Sequence, residues 1–306
     1  MTGAAGFIGA HVVREALAAG HEVRAVVRPG ASPPRLEELT GASGRGAGPR
    51  LVRLDLADRA RTTAVLRSER PDAVIHLAWY AEPGRYRTAL AENVASLEAT
   101  AGLLVAAADA GCRRVVLGGT CLEGDDDRGA AEGRGSDRPI YAAAKRAAHE
   151  LGSGFGGAGV SVACGHVFYL YGPFEDERRV LPSVIRSVIA GQPIATTTGT
   201  QTRDYLHVAD VAAGFVALAG ASVGGGVDIC SGSLVTLADV LRIVGDETGR
   251  PDLIRIGELG PGDDSGHGAA GDPQPLHALG WQPRHELRAG IRDTIGWWTA
   301  RQEANP

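Results

Sequence analysis

A doubly wound, parallel α/β sheet is the architecture that this sequence predicts. Strand-like runs alternate with helix-length stretches at roughly 30-residue intervals through the first half of the chain. Two of those runs, residues 73–78 and 114–117, are almost wholly apolar, as expected of parallel strands covered on both faces. Glycines at 3, 6 and 9 stand directly before the apolar helical pattern of residues 10–19, and a strand-like segment, 21–28, follows. That order of glycine turn, helix and strand is the arrangement in which a backbone can turn sharply and approach a pyrophosphate, with the helix N-terminus facing the phosphate charge.

The elements follow in order. A central strand should precede the glycine turn, but the chain begins at Met1 where that strand should already have ended. The first strand is therefore expected to be missing or to lie upstream of Met1. Where the 21–28 segment ends, a carboxylate usually receives the adenosine ribose hydroxyls; here the residue is Arg28, with Ser32 and Arg35 nearby. Its forked donors suit a 2′-phosphate, so NADP is favoured over NAD. Residues 41–49 read as a flexible connection, and 50–54 as a short strand ending at Asp55, which either caps the next helix or reaches an adenine amine. A long helix is expected over 86–110, carrying Asn93, and an acidic loop over 124–137. After the strand of 160–167 the alternation stops. Helices are expected over 180–190, 208–219, 237–248 and 291–300, a short strand over 227–230, a polar segment over 198–207 and an irregular binding loop over 257–275. The predicted division is a dinucleotide-binding Rossmann domain at 1–165 and a smaller, mainly substrate-binding α/β lobe at 166–306, with 205–231 packing back on the first domain.

Bulk composition excludes several function classes. Net charge is −5, with no electrostatic footprint for nucleic acid or an anionic membrane. No run approaches the ~18 consecutive apolar residues of a membrane span, and no signal peptide opens the chain. Cys112, Cys121, Cys164 and Cys230 are scattered without a Cys-x-x-Cys pair. They read as small buried residues in a reducing, cytoplasmic setting, with no disulfide frame and no metal site.

The chemistry is placed at Tyr141 and Lys145. Lys145 is the only lysine among 31 Lys and Arg residues, and a site needing a compact point charge cannot accept a guanidinium in its place. On a helix the two residues stand one turn apart on one face. Lowering a phenol from its usual value near 10 to neutrality takes about 4 kcal/mol, which a nearby cation in a low-dielectric pocket can supply.

Taken together, the 2–9 glycine turn, His76-Leu77-Ala78, Tyr141-x-x-x-Lys145, Tyr171-Gly172-Pro173 and Arg203-Asp204-Tyr205-x-His207 resemble the extended short-chain dehydrogenase/reductase family. The likeness is to its nucleotide-sugar epimerases, dehydratases and 4-ketoreductases. The resemblance implies that Gly3, Gly6, Phe7, Ile8 and Gly9 hold the cofactor pyrophosphate. It places Asp55 and Leu56 by the adenine, and Leu77, Ala78 and Asn93 in the cofactor cleft. Thr120 would bind the sugar C4 oxygen, Tyr141 would transfer the proton, and Lys145 would bind the nicotinamide ribose and lower the tyrosine pKa. Phe168 and Arg203 would contact the substrate, Arg203 at its diphosphate. The pattern departs from the family at His166 and Tyr169, where an Arg and an Asn are usual; His166 is read as a core histidine. It departs again at Cys121 and Leu122, where dehydratases carry adjacent acids, with Glu123 one place further on.

The expected function is therefore reduction of a nucleotide-linked 4-keto-6-deoxyhexose by a homodimer. A nucleotide-sugar 4-epimerase with bound NAD is the alternative, and a catalytically silent cofactor-binding scaffold or sensor is the rival of a different class.

Overall fold

The computed structural model describes residues 1–41, 48–123, 139–261 and 268–304. The acidic loop expected at 124–137 lies outside the described residues, as do parts of the 41–49 and 257–275 segments.

The apolar runs do form a parallel sheet. Arg24–Val27 (β1) pairs with Arg50–Arg53 (β2). Ala73–His76 (β3), Arg114–Thr120 (β4), Ser161–Val167 (β5) and Gly225–Ile229 (β9) pair in that order, all parallel. Met1 and Thr2 alone occupy the central position between β1 and β3. Met1 exchanges backbone hydrogen bonds with Arg24 and Val26 on one side. Thr2 pairs with Ile75 and Leu77 on the other. Met1 and Thr2 thus sit where the first strand is expected.

His76 reinforces that short centre. Its Nδ1 shares a 2.7 Å hydrogen bond with Thr2 Oγ1, and its Nε2 a 2.9 Å bond with Thr100 Oγ1. Burial, with Lys145 adding to it, drives the imidazole pKa down to about 3, so it is a neutral bridge from Thr2 to Leu90–Asp109 (α4). Among the described residues α4 is the one helix long and apolar enough to cross a membrane. Here it is a layer helix, with Leu103 and Leu104 packed on Val115 and Leu117 of β4.

Helices cover both sheet faces. Phe7–Ala18 (α1) and Val208–Gly220 (α7) meet β3, β4 and β9 through Val12, Val211, Phe215 and Leu218. Arg59–Glu69 (α3), α4 and Ile140–Ser153 (α5) lie on the other face. Pro34–Gly41 (α2) packs Leu36 and Leu39 beside Val13 and Val27.

A separate core lies in the C-terminal part of the chain. Val180–Ile189 (α6), Leu237–Thr248 (α8) and Leu287–Ala304 (α10) bury Ile185, Leu241, Val244, Ile291 and Trp298 together. Tyr169–Tyr171 (β6), Thr202–His207 (β8) and Leu234–Thr236 (β10) form a three-stranded sheet around the central β8. Ile194–Thr196 (β7) pairs with Ile254–Ile256 (β11). Gln274–His277 (α9) packs Leu276 against Phe215 and Ile229.

Two elements differ from the sequence reading. The polar 198–207 segment contains β8, because its partner strands satisfy the backbone and Asp204 accepts from the backbone NH of Ser231, Gly232 and Gly271. The helix expected from 86 begins at Leu90, since residues 82–89 turn tightly, with Tyr86 and Ala89 NH bonded to Glu82 and Arg85 carbonyls.

Candidate active site

Helix α5 starts after Pro139, whose extended backbone (φ −54°, ψ 139°) turns the chain into the helix. Tyr141, Lys145 and His149 follow at four-residue spacing and share the face turned toward β4. Thr120, at the end of β4, is the neighbour of Tyr141 that favours its phenolate, across from the start of α5. The Tyr141 ring sits edge-on to Tyr86, 4.8 Å between centres, and to Trp79 at 6.4 Å. Lys145 is buried; its Nζ donates to the Gly118 carbonyl at 2.6 Å and lies 4.0 Å from the centre of the Trp79 ring.

This geometry corrects the expectation that Lys145 acidifies Tyr141. Burial pushes the phenol above its ordinary value, and the Tyr86 and Glu123 charges push it further, against the opposing pull of Thr120. The ammonium stands 5.9 Å from the tyrosine ring centre and is directed to the Gly118 carbonyl and the Trp79 face instead. Burial brings Lys145 itself down to about 8, against the pull of Glu123 and Cys164.

The glycine turn fits a dinucleotide. Gly3 has φ 67°, and a Cβ there would lie 2.6 Å from the Leu77 carbonyl carbon and 2.7 Å from the Ala78 nitrogen. A Cβ on Gly9 would meet the Gly3 oxygen at 2.0 Å. No side chain caps the α1 N-terminus at Gly6, so the NH groups of Phe7 and Ile8 at its start are disposed for a phosphate. These residues would hold the pyrophosphate of a cofactor.

The other expected residues are distributed as follows. Leu77 and Ala78 abut the glycine turn, Ala78 NH reaching Thr2 Oγ1 at 3.4 Å. Arg28 is exposed at the tip of β1, and the nearby Arg35 donates to the Ala5 carbonyl of the glycine turn. Asp55 is exposed and accepts from Ala57 NH, while Asp58 caps α3; Leu56 packs beside Leu66 and Leu103. Arg203 is buried with its guanidinium 4.9 Å from the Tyr169 ring centre, so Tyr169 supports it at the departure from the family pattern.

Asn93, expected at the cofactor, is fully buried and committed elsewhere. It accepts from Trp79 Nε1 at 2.8 Å and donates to the Tyr86 and Ala89 carbonyls, fixing the turn that carries both aromatic rings. Phe168, expected at the substrate, is buried instead, its ring tip against Gly271. His166 is no plain core histidine, since it faces Asp228, His149 and Glu123. Trp79 and Tyr86 escaped the sequence reading; the only signal was their aromatic character just after His76-Leu77-Ala78.

A profile described as the NAD dependent epimerase/dehydratase family matches residues 1–229. The chain belongs to that family. A dTDP-glucose 4,6-dehydratase of Xanthomonas campestris pv. campestris is 28% identical, over 99% of this chain and 93% of the relative. A dTDP-4-dehydro-6-deoxy-D-allose reductase of Streptomyces is also 28% identical, over 97% and 95%. The crystal structure of a Thermus thermophilus UDP-glucose 4-epimerase in complex with NAD superimposes with a TM-score of 0.76 at 25% identity, covering 97% of both chains. Dehydration, reduction and epimerisation are thus all found among relatives of similar distance. Within this epimerase/dehydratase family member, Thr120 ends β4 and Lys145 reaches the Gly118 carbonyl of the same strand, at the carboxyl end where such sheets bind ligands.

Proposed function

We propose that the protein reduces a nucleotide-linked 4-keto-6-deoxyhexose, with NADP(H) as cofactor and NAD as the alternative. The observation that carries this reading is that Thr120 and Tyr141 are neighbours while the Glu123 carboxylate is committed to the Thr120 backbone NH and to His149 and His166. Removing water from a sugar requires a further acid and base beside the substrate. Glu123 is buried, accepts from Thr120 NH at 2.7 Å, and is held near a pKa of about 2 by His149 and His166 despite its burial. It is thereby a fixed anion inside the fold.

What remains suits protonation of one oxygen. A bound nicotinamide supplies the hydride. Tyr141, kept protonated by burial, gives its proton to the C4 oxygen as that oxygen gains charge. Thr120 orients the phenol and steadies the same oxygen. Lys145 contributes a compact cation beneath the cleft. Arg28, exposed where a ribose carboxylate is usual, supports NADP(H), and Arg203 is assigned to the substrate diphosphate.

The test mixes purified protein with NADPH and a nucleotide-linked 4-keto sugar. Net loss of NADPH absorbance supports the reductase. An isomerised sugar nucleotide without net NADPH loss overturns it in favour of the 4-epimerase, the activity named for the Thermus relative. Cofactor binding with neither outcome indicates a silent scaffold. Tyr141→Phe should lower turnover by about 10²–10⁴-fold with cofactor affinity retained, because the ring keeps its contacts with Tyr86 and Trp79.

A further inference from the structure

Beside Thr120, four side chains from two elements and a turn converge. Glu123 comes from the turn after β4, His149 from α5 one turn beyond Lys145, and Cys164 and His166 from alternate positions of β5. Their donor atoms all lie within 4.8 Å of one another. His149 Nδ1 and His166 Nε2 are 3.4 Å apart, and each is 3.4 Å from Glu123 Oε2. Cys164 Sγ is 3.9 Å from the same oxygen.

The three 3.4 Å separations are long for hydrogen bonds, which centre on about 2.9–3.0 Å for N–H···O. They are close to the edges of a tetrahedron around one ion: bonds of about 2.0–2.3 Å at tetrahedral angles hold their donors roughly 3.3–3.7 Å apart. We propose that Glu123, His149, Cys164 and His166 bind one Zn²⁺-type divalent transition metal ion per chain.

The surroundings are built for this. His166 turns its other nitrogen, Nδ1, to Asp228 Oδ1 at 3.3 Å on the adjacent strand, the outer carboxylate that orients a ligating imidazole. The second Glu123 oxygen, Oε1, is occupied by Thr120 NH, which leaves Oε2 as the single donor from this carboxylate. Two glycines make the room. A Cβ on Gly119 would lie 2.6 Å from Cys164 Sγ and 2.9 Å from Glu123 Oε1. A Cβ on Gly226 would lie 2.5 Å from His166 Cε1 and 3.0 Å from His149 Cε1. Two imidazoles, a thiolate and a carboxylate suit a borderline metal such as zinc over magnesium or calcium. With four protein ligands the site is closed, so its role is structural: it ties α5 and β5 to the turn that carries Thr120.

The test is metal binding by the full chain, stripped with chelator and titrated with Zn²⁺ or Co²⁺ alone. One equivalent of Zn²⁺ should bind and raise the melting temperature. One equivalent of Co²⁺ should give tetrahedral d–d bands with a thiolate charge-transfer band. Cys164→Ser should lose the charge-transfer band. His149→Gln, at a partly exposed position that should tolerate substitution, should weaken Zn²⁺ binding at least about 100-fold, beyond the 10–100-fold typical of outer-shell changes. Failure of folded wild-type protein to bind either ion at excess overturns the proposal. So does binding unaffected by both substitutions, or binding lost instead in His285→Gln, which would place the ion at the separate group of His207, Asp210 and His285.

Discussion

The Lys145 ammonium lies 4.0 Å from the centre of the Trp79 ring, the two side chains arriving from α5 and from the loop after β3. The tryptophan is in turn anchored by Asn93. The buried cation is therefore held between a carbonyl, Gly118, and an aromatic face, both of which favour its charged form.

That arrangement sets an alkaline limit on activity. Burial brings Lys145 from 10.5 down to about 8, so its charge fades as pH rises through about 8. In stability the sign is the same as for any depressed pKa: the group's contribution is full above 10.5 and is lost as pH falls through about 8. A desolvated cation–π contact is worth about 2 kcal/mol, or roughly 1.5 pKa units. In Trp79→Leu the alkaline limb of kcat/KM should move from about pH 8 downward by about one unit. An unmoved limb would show that the ring does not hold the charge.

Much of this site was legible because it is local. Tyr141 and Lys145 lie one helical turn apart, so their spacing implied a shared face. The glycines at 3 and 9 carry steric demands that no other residue meets. The rest depends on contacts between distant segments. The family resemblance implies a cofactor role for Asn93, yet its three hydrogen bonds go to Trp79, Tyr86 and Ala89, and only folding brings the Trp79 indole to it. Cys164 and His166 meet Glu123 and His149 only when β4, β5 and α5 pack, so their separations along the chain carry no ligand signature. Strand β8 was hidden because its buried Arg203, Asp204 and His207 look like surface residues until their partners arrive.

Glu175 provides a second pH-dependent prediction. It follows Phe174, which is held at φ 71° against Trp297 at 4.6 Å between ring centres. One Glu175 oxygen, Oε2, is buried with no hydrogen-bond partner among the described residues. Burial raises the carboxyl from 4.5 to about 8, against the pull of Arg179. A raised pKa contributes stability below 4.5 that is lost as pH rises through about 8. Glu175→Gln should therefore match the wild type in chemical denaturation at pH 4 and exceed it by at least about 1 kcal/mol at pH 9, after discounting for partial solvation. Equal stability at both pH values would mean that water reaches the carboxyl.

Two glycine substitutions should have opposite signs. Gly9→Ala places a methyl 2.0 Å from the backbone oxygen of Gly3, a neighbour that cannot swing aside, so it should destabilise by about 3 kcal/mol or more and abolish cofactor binding. Gly296, inside α10, has nothing within 4 Å of an added Cβ. Gly296→Ala should stabilise by about 0.5–1 kcal/mol through helix propensity alone. Thermal unfolding with and without cofactor checks both.

The homodimer is a proposal that rests on an uncovered apolar face. On α4, Leu90, Val94 and Val105 are 64%, 40% and 53% exposed, and the spacing puts them along one side of the helix. Leu151 on the neighbouring α5 is 42% exposed, one and two turns beyond the exposed Ala147 and Ala143. A second copy of the same face would cover this surface by two-fold pairing, in which each helix pair meets its own equivalent. Sedimentation at micromolar concentration should give twice the 31.6 kDa chain mass. Val105→Glu combined with Leu151→Arg should give the single-chain mass with unchanged helicity, because exposed substitutions move stability by only about 0.5 kcal/mol. A wild-type protein that sediments as one chain, or a double variant that stays dimeric, would place any interface elsewhere.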